Sequence, residues 1–281
     1  MADLIDTVVK TRNIAEEIAA QSLLNIDGIS EIELYERILK AMSSHVEIFP
    51  RGWYDPPRDG ISVLFDRAPF GRLLYDSLRN LEYAPSPTRL FEKESVGGIY
   101  FSPVNKTTKT LGDIGFTLYR GDNKEIKEHL RKSYAVVLQI AEHAEVGMSF
   151  SSLCKFASEL FSANGLKPSR RAILSSDQNQ SLNLGHSVPG ASGNEVIEGD
   201  SFEEIKENIR TKRVHFINTE DFKIPETYAF TVESRLESAT DSNMPSASWH
   251  FIVCFDKGKK IILNNFQEIF KVVEMDYMNI K

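Results

Sequence analysis

Hydrophobic positions along this chain change period several times, and each change marks an element. Over residues 3–24 the apolar positions Leu4, Val8, Ile14, Ile18 and Leu23 recur at roughly helical spacing, which predicts a first helix. Asp27-Gly28 interrupts the pattern. Ser30 then opens a second helix with Glu33 three residues later, a capping box, and an apolar face of Leu34, Ile38 and Met42. The stretch FPRGWYDPPRDG at 49–60 holds three prolines and two glycines and reads as a loop. ISVLF at 61–65 has the continuous apolar run of a short buried strand. The following segment, 67–91, is mixed, and Pro85 and Pro87 end any helix there.

From Gly97 the period drops to two. GIYFSPV, a turn-like NKTTKT and GDIGFTLYRG follow one another, and the last alternates Ile114, Phe116 and Leu118 as a hairpin strand does. A long helix is predicted at about 124–145, with Ile126, Leu130, Val137, Ala141 and Ala144 along one side. Gly147 stops it and Ser149 caps another helix whose stripe is Leu153, Phe156, Leu160 and Phe161. Asn164-Gly165 closes that helix. Residues 172–200 are polar and Gly/Ser-rich around NLGHSVPGASG and read as a loop. YAFTVESRL (228–236) and WHFIVCF (249–255) are strand-like, and a Lys-Gly turn with KIILNNF completes a β-rich C-terminal region.

An internal correspondence spans these elements. GISEIELYERI (28–38) and GMSFSSLCKFA (147–157) share glycine, apolar residue, serine cap and a leucine four residues beyond the serine. The offset is constant at 119 residues, pairing Gly28 with Gly147, Ser30 with Ser149 and Leu34 with Leu153. Glycine followed by a serine cap is a common way to join two helices. A repeated two-helix unit also points to a pseudo-symmetric α/β domain.

Composition narrows the class. At 281 residues, 41% apolar and 26% charged, the chain has the make-up of a soluble globular protein with one large domain or two small ones. A net charge of −7, with no Lys/Arg run longer than two, argues against a nucleic-acid partner. No stretch approaches the ~20 apolar residues of a membrane helix, and MADLIDTVVKTRNIAEE does not read as a signal peptide. Cys154 and Cys254 sit in apolar patterns a hundred residues apart, which predicts two buried free thiols and a cytoplasmic setting. No P-loop, Rossmann glycine pattern, CxxC pair or HExxH occurs, so neither a nucleotide cofactor nor structural zinc is indicated.

The order of motifs resembles the pita-bread superfamily of methionine aminopeptidase, aminopeptidase P and creatinase, over roughly residues 10–270. That resemblance implies an α/β (α+β) pita-bread fold, an antiparallel curved sheet covered by helix pairs. It implies a single domain, 1–281, made of two halves of about 1–95 and 96–281. The family's metal ligands carry over in part. GDIGFT places Asp113 at the bridging aspartate, NLGHS places His186 at the metal-binding histidine, and AFTVESRL places Glu233 at the first glutamate. Ser102, eleven positions before Asp113, stands where the family has an aspartate, and Phe251 or a neighbour stands where it has the last glutamate. Two carboxylates and one imidazole are too few for two divalent ions. Asp113, His186 and Glu233 would suit one ion, Zn, Mn or Fe, or none.

Each of these residues also has a plainer reading. Asp113 can be a turn residue, His186 a surface histidine, and Glu233 a solvent-side residue paired with Arg235. His250 and His215 titrate near neutrality and are acid–base candidates, although strand alternation alone could place them on a polar face. Trp53 and Tyr54 beside Pro56-Pro57 read as a loop clamp in preference to a pocket wall. The resemblance then implies an enzyme, not an ordinary dinuclear aminopeptidase, acting on a C–N bond of a small amino-acid-derived or peptide substrate. His186, His250 and Glu233 would be its catalytic groups, and a homodimer would follow many relatives. The alternative is a pseudo-peptidase that binds a protein or peptide.

Overall fold

The computed structural model describes residues 4–75, 77–169, 173–176, 179–191 and 195–279. The first half runs α1 (Leu4–Ser22), α2 (Glu31–Ser44), β1 (Ile61–Asp66), β2 (Val96–Phe101) and β3 (Ile114–Tyr119). The chain continues through α3 (Lys124–His143), α4 (Phe150–Ala163), β4 (Leu166–Pro168), β5 (Ile173–Ser176), β6 (Asn179–His186) and α5 (Phe202–Lys212). It closes with β7 (His215–Ile217), β8 (Tyr228–Ser238), β9 (Ala247–Asp256), β10 (Lys259–Leu263) and α6 (Gln267–Val272). None of the described helices is long and apolar enough to cross a membrane.

The strands pair antiparallel in three sheets, ordered β1-β2-β3, β10-β9-β8-β4 and β5-β6-β7. Side chains and single bridges join them. Ser248 N of β9 donates to Thr117 Oγ1 of β3 at 2.8 Å, and Val188 N, just past β6, donates to Ala229 O of β8 at 2.8 Å. Helix α3 covers the β8–β9 surface. Trp249 Nε1 donates to Ser133 Oγ at 3.1 Å, and Tyr134 lies edge-on to Trp249 and Phe251. An alternating strand can therefore bury one face under this helix and turn the other toward a cavity.

The helix junctions form as the sequence predicts. Ser30 and Glu33 make the reciprocal capping box, Ser149 Oγ caps α4, and Gly28 and Gly147 take φ +71° and +84°. One reading needs correction, and one helix lay outside the sequence reading. The polar 172–200 stretch contains the β5–β6 hairpin, because ladder bonds are made by backbone and need no apolar side chains; its Ser192 and Gly193 lie outside the described residues. Helix α5 has only Ile205 and Ile209 buried, too sparse a stripe to register, yet Ser201 and Glu204 supply a second capping box.

One buried ion pair, Glu31–Arg72, ties α2 to the segment that follows β1. Glu31, fully buried, accepts from Phe65 N and Arg72 Nε through Oε1 and from Arg72 Nη2 and Ser86 N through Oε2. Removing one partner strands the other's charge in the interior. Glu31→Ala is expected to lower unfolding free energy by about 3–5 kcal/mol in denaturant titration. Cys154 and Cys254 are free and buried, and burial pushes both thiols up to about 12. Iodoacetamide should leave both unmodified in the native protein and label both once it is unfolded.

Candidate active site

Four side chains from four segments meet below one cavity. Asp113 immediately precedes β3 and is fully buried. Its Oδ1 accepts from Trp53 Nε1 at 2.8 Å, while Oδ2 has no hydrogen-bond partner among the described residues. Burial pushes its pKa up to about 7, against the Trp53 hydrogen bond and the charges of Arg213 and Arg12.

His186 ends β6, and the glycine before it is a steric requirement. Gly185 has φ +146°, and a Cβ there would run into the Thr231 carbonyl on β8. The strands can thus approach until His186 N donates to Thr231 Oγ1 at 2.9 Å. His186 Nδ1 lies 2.7 Å from the Ser187 carbonyl, an acceptor only, so Nδ1 carries the hydrogen and the neutral ring keeps its lone pair on Nε2. Burial, with Arg213 and His250 nearby, lowers its pKa to about 4. Nε2 stands 3.6 Å from Asp113 Oδ2 and 3.7 Å from Glu233 Oε1.

Glu233 on β8 lies directly across from His250 on β9, and Glu233 Oε2 meets His250 Nε2 at 2.8 Å. Burial alone would raise the Glu233 carboxyl, but the hydrogen-bonded His250 beside it outweighs this and holds it well below the usual range. Gly115, second glycine of GDIG, makes room for that imidazole: a Cβ there would sit 2.8 Å from His250 Cδ2. Beneath both strands, the fully buried Arg12 of α1 donates to the Asp113 carbonyl at 2.6 Å and to the His250 carbonyl at 3.2 Å.

The sequence expectations sort accordingly. Asp113, His186, Glu233 and His250 come together, so neither the turn reading of Asp113 nor the surface reading of His186 describes them, and Glu233 takes His250 as its partner in preference to Arg235. Phe251 does not join them: alternation turns it into the core against Tyr134 and Phe266, and the neighbour that faces Glu233 is His250. Ser102 Oγ is committed to structure, accepting from Tyr54 N at 3.1 Å and donating to Gly60 O at 3.3 Å. It thereby braces the 49–60 loop. Trp53 and Tyr54 are consequently more than a clamp, since Trp53 reaches Asp113 and lies edge-on to His186 at 5.6 Å, and Tyr54 lines the cavity. His215 pairs with His186 across β6–β7 and also lines the cavity.

Arg12 and Arg213 escaped the sequence reading, and Arg235 entered it only as a partner for Glu233. Arg12 was the most legible of them, a lone arginine on the buried stripe of Ile5, Val8, Ala15 and Ala19. The other two are ordinary surface residues by sequence.

Asp113, His186 and Glu233 are the groups that could hold a divalent ion. Tetrahedral coordination with bonds of about 2.1 Å places donors roughly 3.4 Å apart, close to the 3.6 and 3.7 Å found among Asp113, His186 and Glu233. No group of three or more His, Cys, Asp and Glu among the described residues forms a preassembled cage, so an ion would have to draw these donors slightly inward. For a second ion the remaining oxygens are engaged, Asp113 Oδ1 by Trp53 and Glu233 Oε2 by His250.

The two glycines make a paired prediction. Gly185→Ala forces a Cβ against backbone at positive φ, whereas Gly115→Ala meets a ring able to turn away. Gly185→Ala should lower Tm the more, and Gly115→Ala should shift the His250 imidazole NMR signals with the smaller loss of Tm.

No family model and no curated protein sequence matches the chain. Solved structures do. An X-Pro aminopeptidase from Thermotoga maritima superposes with TM-score 0.61 at 17% identity, covering 93% of this chain and 60% of that one. A dipeptidase from Mycobacterium ulcerans gives 0.63 at 13%, covering 94% and 58%. A methionine aminopeptidase from Thermotoga maritima gives 0.59 at 11%, covering 92% and 96%. The chain therefore spans about three fifths of the first two enzymes and nearly all of the third. Identities this low speak for architecture alone, and by that architecture the chain has the pita-bread fold.

Proposed function

We propose that this is an enzyme acting on a C–N bond of a small amino-acid-derived substrate, by hydrolysis, elimination or cyclisation, with at most one metal ion. The observation that carries the reading is the Glu233–His250 pair at 2.8 Å beside a neutral His186, all three lining a cavity of about 420 Å³. That volume suits a small molecule. The structural neighbours are peptidases by name, which supports C–N chemistry of this general kind.

The residues divide the work by their proton positions. With no ion bound, His186 Nε2 is the free lone pair in the cavity and accepts a proton from an attacking water. His250, hydrogen-bonded through Nε2 to an ionised Glu233, delivers a proton to the departing nitrogen. Asp113 holds its charge in reserve, and Trp53 fixes its orientation. An ion at Asp113, His186 and Glu233 would supply Lewis-acid polarisation of the bond under attack. The whole chain would act as one domain of two halves, about 1–95 and 96–281, a reading supported by the matched junctions at Gly28 and Gly147. Two free buried thiols fit a cytoplasmic setting.

A second reading rests on a specific feature, Ser102 and Phe251 or a neighbour standing where the resemblance expects carboxylates: a pseudo-peptidase that binds a peptide without cutting it. Purification without added metal, followed by metal analysis and an amine-release assay on N-substituted amino acids, separates the two. The enzyme reading expects no more than one ion per chain, lost in Asp113→Ala and Glu233→Ala, and turnover lowered about 10²–10⁴-fold in His250→Gln. Two ions per chain, or neither metal nor turnover, would sink it, and the latter result favours the binding module.

A further inference from the structure

Asp113 and its three companions come from different sheets. Asp113 leads into β3, whereas His186, Glu233 and His250 stand on β6, β8 and β9, and no ladder among the described residues pairs β3 with β9. The spacing of those two strands is therefore set by side chains. Ser248 and Thr117 join them at one place. Arg12 joins them at another, with Nη1 on the Asp113 carbonyl and Nη2 on the His250 carbonyl. The helix that carries Arg12 lies directly on the segment before Asp113. A Cβ at Gly112 would stand 2.6 Å from the Thr11 carbonyl, and Thr11 Oγ1 is 3.4 Å from Thr110 Oγ1. One donor of the guanidinium remains, its Nε. That nitrogen is 3.5 Å from Oε1 of Glu16, one helical turn on, and neither atom has a hydrogen-bond partner among the described residues. The Arg12 side chain has no solvent exposure, while that of Glu16 keeps 16%. Burial pulls the guanidinium down to about 10, and Glu16 is the strongest of the charges opposing this, ahead of Asp113.

We infer that Glu16 is a positioning residue for the cavity: it holds Arg12 at Nε and so fixes where the Asp113 and His250 backbones stand relative to one another. A guanidinium presents its donors in one rigid plane. Phe266, whose ring centre is 5.0 Å away, covers the face of that plane, which leaves rotation within the plane to be stopped at its edge. The contact such a rotation loosens first is the longer one, 3.2 Å to His250, and a charged partner at Nε resists it. Glu16 also supplies what the two carbonyls cannot, a negative charge beside a fully buried cation. The consequence reaches the cavity through distances. Asp113 Oδ2 faces His186 Nε2, and His250 Nε2 faces Glu233 Oε2, so a slip of β3 against β9 spoils the cluster without breaking the β8–β9 ladder. Glu16 is not among the residues lining the cavity. Its effect on turnover rests on the C–N reading above, whereas its effect on geometry does not.

Imidazole and indole NMR signals of the full chain supply the test, with the amine-release assay beside them. In Glu16→Ala the His250 ring and the indole N–H of Trp53, which donates to Asp113 Oδ1, are expected to shift. His129, held on the Pro245 carbonyl, should keep its signals. Turnover should fall about 10–10²-fold in kcat, the order expected of a small misplacement of reacting groups, with KM held within about twofold. Glu16→Gln, whose amide oxygen still accepts from Nε, should recover part of the loss. The double variant Arg12→Met with Glu16→Leu replaces the buried pair by apolar groups. It should regain Tm relative to Glu16→Ala yet keep both the shifts and the loss of kcat, and it decides the matter if Glu16→Ala does not fold. Wild-type His250 and Trp53 signals in the folded variants, equal shifts at His129, or recovery of kcat along with Tm in the double variant overturns the inference and leaves Glu16 a structural residue. Shifted signals in a protein that shows no turnover refute the C–N chemistry and leave the positioning, whereas unchanged signals with normal turnover do the reverse.

Discussion

His186 Nε2, Asp113 Oδ2 and Glu233 Oε1 face one another as three acceptors with no donor among them. Lone pairs so placed repel, and in a recess shielded from water the repulsion is not screened away. Protonation of Asp113, whose carboxyl burial pushes up to about 7, relieves that repulsion. The raised Asp113 and the lowered His186 both follow from burial, which disfavours the charged form of each. The same constraint explains why the positive charge nearby is permanent: Arg12 and Arg213 offset the buried carboxylate without having to be recruited.

Holding repelling groups in register is a task for the scaffold. Arg12 reaches from α1 and fastens the backbone of Asp113 and His250 with one guanidinium, so the two strands cannot separate without stranding a buried charge. Trp53 anchors the other oxygen of Asp113. Gly185 and Gly115 remove the side chains that would otherwise hold β6 from β8 and the His250 ring from β3. Each device acts on backbone or on a ring orientation, and together they fix four side chains from distant parts of the chain.

Much of this was legible in local sequence. The capping boxes, the helix stripes, the buried run of β1 and the alternation of β3, β8 and β9 all follow from period and turn chemistry, and the GD-x-G, GH and v-x-E patterns drew attention to Asp113, His186 and Glu233. The polar β5–β6 hairpin was not legible, because its strands are held by backbone bonds that leave no hydrophobic signature. Phe251 shows the limit within a correctly foreseen strand: the strand was right, but which of two adjacent residues faces the cavity depends on a one-residue register, and register is set by the partner strand.

What the sequence determined by itself was most of the elements, their order and the free thiols. These depend on residue identity and near neighbours in the chain. Tertiary structure alone decided that His250 answers Glu233, that Ser102 braces a loop, that Arg12 lies under the site and that Arg213 and Arg235 line its wall. Those facts join residues up to 238 positions apart, and no local pattern encodes a distance that arises only when sheets and helices close on one another.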